Sequence, residues 1–157
     1  MCALSLRPIT DADLAFLEEL YGATRETELS QTGWSPEQKT DFIAMQFSAQ
    51  HLYYQQHFGN ARFDLILNRS VPVGRLYVDR RADEIRIIDI ALMPGYRGKG
   101  IGGKLMRELL QEAGEKRLPV RIHVEQFNPA MNLYDRLGFR KIHDEGVYVL
   151  MEWAVMD

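Results

Sequence analysis

The sequence predicts a mixed α/β (α+β) chain of seven strands and four helices. Short stretches alternate apolar and polar residues with period two, whereas four others repeat apolar residues every three to four positions. Glycine, proline and short polar groups separate these stretches. Their order is strand, two helices, three strands, helix, strand, helix, two strands.

Ala3 to Ile9 alternates as a strand. Thr10 and Asp11 then cap a helix running to about Thr24, with Leu14, Leu17 and Leu20 on one side. Pro36 opens a second helix to about His57, whose expected apolar face is Phe42, Met45, Ala49 and Tyr53. Phe63 to Leu67, Val71 to Asp79 and Glu84 to Met93 read as three antiparallel strands joined by Asn68-Arg69-Ser70 and Arg81-Ala82-Asp83. A third helix covers Lys104 to Ala113, and Val120 to Val124 is a short apolar strand. In the fourth helix Asn128 is the expected N-cap and Pro129 the first helical residue. Ala130, Leu133 and Leu137 form its buried stripe, and Gly138 ends it. Phe139 to Asp144 and Val147 to Trp153 close the chain as a hairpin across Glu145-Gly146.

Bulk properties bound the answer. At 157 residues, 46% hydrophobic and 26% charged, residues 1–157 read as a single globular domain with a real core. A net charge of −3 argues against a nucleic-acid partner. No apolar run of membrane-spanning length and no signal-peptide pattern is seen, so no membrane partner is expected. The single cysteine, Cys2, cannot form an internal disulfide and fits a reducing cytoplasm. His51, His57, His123 and His143 are scattered, and no metal-ligand cluster occurs, so no metal is expected.

The most informative stretch is Leu92-Met93-Pro94-Gly95-Tyr96-Arg97-Gly98-Lys99-Gly100-Ile101-Gly102-Gly103-Lys104-Leu105. Four glycines within six positions, with Arg97, Lys99 and Lys104 around them, place bare backbone N–H groups at a helix start. The positive end of the helix dipole lies there too, so the stretch predicts a phosphate or pyrophosphate site. Gly98, Gly103 and Lys104 satisfy G-x-x-x-x-G-K, but Leu105 stands where a nucleotide P-loop needs a hydroxyl for Mg²⁺. Gly98, Gly100 and Gly103 satisfy the dinucleotide pattern G-x-G-x-x-G. That fingerprint belongs to the first turn of a βαβ array, and here it lies past the middle of the chain.

Arg97, Gly100 and Gly102 satisfy a third pattern, R/Q-x-x-G-x-G/A. With the preceding apolar-x-Pro it resembles motif A of the GNAT N-acetyltransferases. Asn128, Ala130 or Met131, Leu133, Tyr134, Gly138 and Phe139 resemble that family's motif B, with the alanine one position early. The resemblance implies a mixed, mostly antiparallel sheet of six to seven strands flanked by four helices. It implies an enzyme that moves an acetyl group from acetyl-CoA to a primary amine of a small molecule or protein by direct attack on the thioester. A non-catalytic acyl-CoA-binding or sensing module is the alternative. By resemblance, Arg97, Gly98, Lys99, Gly100, Ile101, Gly102, Gly103 and Lys104 cradle the pyrophosphate. Ile90, Ala91 and Leu92 pair with the pantetheine arm where two strands splay, and Asn128 bonds that arm. The Leu92 N–H is the oxyanion donor, and Tyr134 the acid that protonates the sulfur.

The base is read from strand parity: Ile85, Ile87, Asp89 and Ala91 share a face, which makes Asp89 a carboxylate in apolar company. Glu84 or Glu125 acting through water are its rivals. Acceptor recognition is expected from the first two helices, where Tyr21, Arg25, Glu26, Glu28 and Trp34 cluster, and from Arg75 and Tyr77 on the third strand. A homodimer through the C-terminal strands is open to this family.

Overall fold

The computed structural model describes residues 3–155, so Cys2 lies outside the described residues. The strands are β1 Leu4–Pro8, β2 Arg62–Asn68, β3 Val71–Arg80, β4 Ile85–Leu92, β5 Val120–Glu125, β6 Arg140–Glu145 and β7 Tyr148–Trp153. The helices are α1 Leu14–Ser30, α2 Pro36–His57, α3 Ile101–Lys116 and α4 Met131–Leu137. One seven-stranded sheet has the order β1-β2-β3-β4-β5-β7-β6. β1/β2, β5/β7 and β6/β7 pair antiparallel, and β4/β5 pair parallel. The mixed, mostly antiparallel sheet with four helices is therefore as expected. Contacts gather into two compact units, residues 3–76 with 91–97 and residues 77–90 with 98–155.

In the first unit a 3₁₀ turn at Asp11–Asp13 precedes α1, and the Asp13 carboxylate accepts the Thr10 N–H at 2.8 Å. Arg7 grips the same carboxylate with two bonds of 2.8 and 2.9 Å. Those bonds, stronger than the opposing effect of burial, hold Asp13 down at a pKa of about 2. Leu17 and Tyr21 of α1, Phe47 of α2 and Leu65 of β2 form the core, with Ile43 packed on it. Gly22 lets the helices close, since a side-chain carbon there would stand 3.1 Å from Ile43 Cδ1. Helix α1 outruns its expected end at Thr24 because Leu29 supplies one more buried anchor.

Helix α2 departs more sharply. Its buried side is Ile43, Phe47, His51 and Tyr54, while Met45, Ala49 and Tyr53 of the expected apolar face are exposed. Both sets have helical spacing, and periodicity alone does not say which one meets a core. Ser35 and Gln38 cap this helix reciprocally ahead of Pro36.

In the second unit α3 buries Ile101, Leu105, Met106, Leu109, Leu110 and Ala113 on one stripe. The strands bury Ile85, Ile87, Val120, Ile122, Val124, Val149 and Met151, the period-two partners of a covered face. β5 pairs with β7 along its whole length, from Val120↔Trp153 to Glu125↔Tyr148. Against β4 it pairs only over Ile85↔Val120, Arg86↔Arg121 and Ile87↔Ile122. Among the described residues no helix is long and apolar enough to cross a membrane.

Candidate functional site

The glycine-rich turn is built for close backbone approach. Gly98 and Gly100 have φ of +70° and +83°, left-handed values that favour glycine, and a side-chain carbon at either would meet nothing within 4 Å. Gly100 immediately precedes α3, and its carbonyl accepts the Lys104 N–H at 3.0 Å. The N–H groups of Ile101, Gly102 and Gly103 thus fall in the first turn, where a helix offers them no acceptor, and no side chain caps that turn. The buried Ile101 anchors it. Gly102 and Gly103 admit Leu133 of α4, at 3.9 and 3.6 Å from where their side chains would begin. Lys104 stays near the turn, 3.6 Å from Glu108, and Lys99 is exposed. Open backbone, helix dipole and two lysines are together what an anion cradle requires.

Tyr134, on α4 in the same unit, is 4% exposed and lies 5.7 Å from the Phe139 ring. Burial, reinforced by the negative charge of Asp89, pushes its phenol up to about 12. At neutral pH the Tyr134 phenol therefore keeps its proton, in a dry setting. Asp89, half-buried on β4, is within electrostatic reach of that hydroxyl. The β4/β5 ladder ends at Ile87↔Ile122, so Ile88, Asp89 and Ile90 have no register partner on β5.

Asn128 is placed differently from the sequence reading. Helix α4 starts at Met131 with Ala130 as its N-cap, and the Asn128 side-chain oxygen accepts the Ala130 N–H at 2.9 Å. Phe127, at φ +68°, turns the chain just before it, so Asn128 and Pro129 form an entry turn rather than the helix itself.

In the first unit Ala91 and Leu92 end β4, and Arg97 reaches back to donate from Nε to the Leu92 carbonyl at 3.0 Å. Met93 N–H donates to the Val73 carbonyl at 2.8 Å. Gly74 lies directly against this strand end. A side-chain carbon there would run into the Ala91 carbonyl and stand 2.9 Å from Leu92 Cδ2. The sequence reading missed Gly74, although a lone glycine inside a strand marks close backbone approach.

The expected acceptor residues fall into separate groups. Arg25 bonds Glu28 at 2.9 Å and the Tyr21 hydroxyl at 3.2 Å, so these three form one cluster on α1. Glu26 is exposed, and Trp34 sits edge-on to Phe42 at 5.2 Å. Arg75 donates to Gln50 at 2.8 Å. Arg75 and Tyr77 are both buried, which leaves them little surface for a ligand. Of the rival bases, Glu84 is buried and gripped by Arg86 at 2.8 Å and Arg121 at 3.2 Å. Burial acts to raise its pKa, but the two guanidiniums outweigh it and hold the carboxyl below its usual range. A base so stabilised in its charged form is a poor proton acceptor. Glu125, the other rival, is half-buried at the end of β5, in register with Tyr148 of β7. Glu84 joins a network also missed from the sequence: Arg121 bonds Glu152 at 2.8 Å, and His123 bridges Arg86 and Glu145. The alternation of Glu84 with Arg86, and of Arg121 with His123, is its signal.

The sequence profile of the Acetyltransferase (GNAT) family matches residues 17–139 of this chain. The chain belongs to the GNAT family. It is similar to the ribosomal protein bS18-alanine N-acetyltransferase of Haemophilus influenzae, 30% identical over 79 residues, which cover 50% of this chain and 53% of that protein. A Bacillus subtilis relative is 33% identical over 85 residues, covering 48% and 56% respectively. The chain thus spans about half the length of the curated relatives it matches. Its fold is similar to that of the PaiA N-acetyltransferase of Thermoplasma acidophilum, solved in complex with coenzyme A. That likeness has a TM-score of 0.72 at 22% identity, covering 96% of this chain and 98% of the other. An acetyltransferase of Thermus thermophilus gives a TM-score of 0.69 at 18% identity, covering 99% and 100%.

Proposed function

We propose that this GNAT protein is an acetyl-CoA-dependent N-acetyltransferase that acts on a primary amine of a small molecule or protein. The anion cradle carries the reading: two left-handed glycines ahead of an uncapped helix start suit a diphosphate and leave its oxygens room against the backbone. When bound, acetyl-CoA supplies an acetyl group activated as a thioester. Arg97 to Lys104 hold its pyrophosphate, the backbone of Ile90 to Leu92 and the Asn128 side chain line its pantetheine arm, and no metal takes part. The family profile runs through residues of both compact units, which supports reading them as one acetyltransferase domain. The lone cysteine of the sequence supports a cytoplasmic setting.

The Leu92 N–H donates to the thioester oxygen as negative charge gathers there. Tyr134 gives its proton to the sulfur as the carbon–sulfur bond breaks, and Asp89 takes the proton that the attacking amine loses. The charge coupling between Asp89 and Tyr134 supports this pairing. A phenolate beside a carboxylate is costly, and a carboxyl that has just been protonated removes that repulsion. Passage of the proton from Asp89 to Tyr134 then restores the starting state.

Tyr134→Phe tests the acid. It should lower kcat by about 10²–10⁴ with coenzyme A affinity retained, and wild-type turnover would remove Tyr134 from the mechanism. Gly102→Asp should abolish coenzyme A binding, and unchanged affinity would reduce the glycine-rich stretch to a turn. A wild-type protein that binds acetyl-CoA yet turns over with no amine in a broad screen would be the acyl-CoA-binding module instead.

A further inference from the structure

Leu92 is held at both of its peptide bonds. The Ala91 carbonyl lies against Gly74 of β3, and the Met93 N–H donates to the Val73 carbonyl at 2.8 Å. A trans peptide sets its C=O and its N–H on opposite sides. The Leu92 N–H shares a peptide with the Ala91 carbonyl and therefore points away from β3. The Leu92 carbonyl shares one with the Met93 N–H and points the same way. Donor and acceptor thus stand side by side on one edge of the strand end.

The next residues bring a cation to that edge. Pro94 lacks an N–H, and its ring pre-sets φ for the first position of a turn. Pro94–Tyr96 accordingly forms a 3₁₀ turn. It is closed by the Tyr96 N–H on the Met93 carbonyl at 2.9 Å and the Arg97 N–H on the Pro94 carbonyl at 3.3 Å. The turn carries Arg97 back to Leu92, whose carbonyl accepts from Nε at 3.0 Å. That bond has two effects. Together with the Met93-to-Val73 bond it fixes the Leu92–Met93 peptide from both sides. It also offsets a carbonyl dipole whose negative end would oppose an oxyanion forming at the neighbouring N–H. We propose that Arg97 is a positioning residue for acyl transfer, acting through the Leu92 backbone as well as through charge on the phosphates. The inference rests on the reading of the Leu92 N–H as oxyanion donor and names what holds that donor in place.

Two substitutions of equal reach separate the hydrogen bond from the charge. Arg97→Gln keeps an N–H donor at the place of Nε and loses the charge, whereas Arg97→Met loses both. Arg97 is exposed, so both proteins should keep the circular dichroism of wild type. Titration calorimetry should show coenzyme A bound more weakly, and to the same extent in both, because both lack the guanidinium. Thiol release at saturating acetyl-CoA, with a mixture of primary amines as acceptors, should tell them apart. The kcat of Arg97→Gln should stand at least about tenfold above that of Arg97→Met. In carbonyl-carbon NMR spectra the Leu92 signal should lie near its wild-type place in Arg97→Gln and move in Arg97→Met. Equal kcat in the two variants would overturn the proposal, and the Leu92 signal says at which step. If it still differs between them, the bond forms but the Leu92 N–H is not the oxyanion donor, and that reading falls as well. If it is the same in both, Arg97 acts through charge alone and the reading of Leu92 stands.

Discussion

Gly74→Ala is the sharpest test of how the end of β4 is held. The added carbon meets a backbone carbonyl, at Ala91, and backbone cannot rotate away as a flexible side chain can. Leu92 Cα would stand 3.2 Å from it and Leu92 Cδ2 2.9 Å. Restoring ordinary contact requires the two segments to part by about 1 Å, against the Met93-to-Val73 hydrogen bond that ties them. Overpacking of this kind costs about 1–3 kcal/mol. For a chain of this length each kcal/mol lowers Tm by about 2–4 °C, so calorimetry should record a fall of roughly 2–12 °C. A displacement of about 1 Å at a group that must meet developing charge reduces turnover by on the order of 10²-fold. Steady-state kinetics should therefore show a lower kcat, while titration calorimetry shows coenzyme A affinity close to wild type. Gly59→Ala is the control: a side chain there meets nothing within 4 Å and φ is not positive, so stability should hold or rise slightly. A Gly74→Ala protein with wild-type Tm and kcat would refute the claim that this contact positions Leu92.

Asp13→Asn should be clearly less stable than wild type at pH 7 by urea denaturation. Its folded pKa of about 2 lies below that of an unfolded aspartate, so the stabilisation is present above about pH 4. It fades as pH falls toward 2, and there the two proteins should converge. Tyr134 has the opposite sense, because its folded pKa of about 12 exceeds the usual 10. Its contribution to stability is complete below pH 10 and is lost between 10 and 12. Tyrosinate absorbance of the wild type should show an ionisation near pH 12 that the unfolded protein lacks. Tyr134→Phe should remove the late step. Met106, fully buried on α3, should cost about 2–5 kcal/mol as Met106→Ala by guanidinium unfolding, and a loss under 1 kcal/mol would mean that the site collapses freely.

Much of this architecture was legible because local signals agreed with the global fold. Ser35-Pro36 starts a helix, Gly138 ends one, and the apolar run from Ile85 forms a strand. Where the reading failed, two local solutions competed. Two apolar faces of α2 both satisfy helical spacing, and only tertiary contact with Leu17, Tyr21 and Leu65 selects Ile43 and Phe47. Asn128-Pro129 suits a helix start and an entry turn equally, and the left-handed Phe127 decides for the turn. The glycine cradle was visible because glycine clusters are rare and have a backbone reason. Gly74 was overlooked because its reason lies in Ala91, seventeen positions away, where pattern along the chain does not reach.

The brevity of the β4/β5 ladder bears on the order in which the sheet assembles. Ile85 and Val120 are 35 positions apart, and closing a chain of that length costs about 3 kcal/mol beyond a constant term. Only three residue pairs repay it, against six between β5 and β7. Parallel partners joined through a helix are also slow to find each other. The β6/β7 hairpin, closed at Glu145↔Tyr148, should therefore form first, and β5, with twice as many pairs to β7 as to β4, should join it before β4 does. The same join should be the first to open in native-state hydrogen exchange, releasing the edge of β4 while α3 and β7 stay protected. The join of β4 to β5 is thus the weaker side of β5, and Asp89, a candidate proton acceptor, lies just past its end.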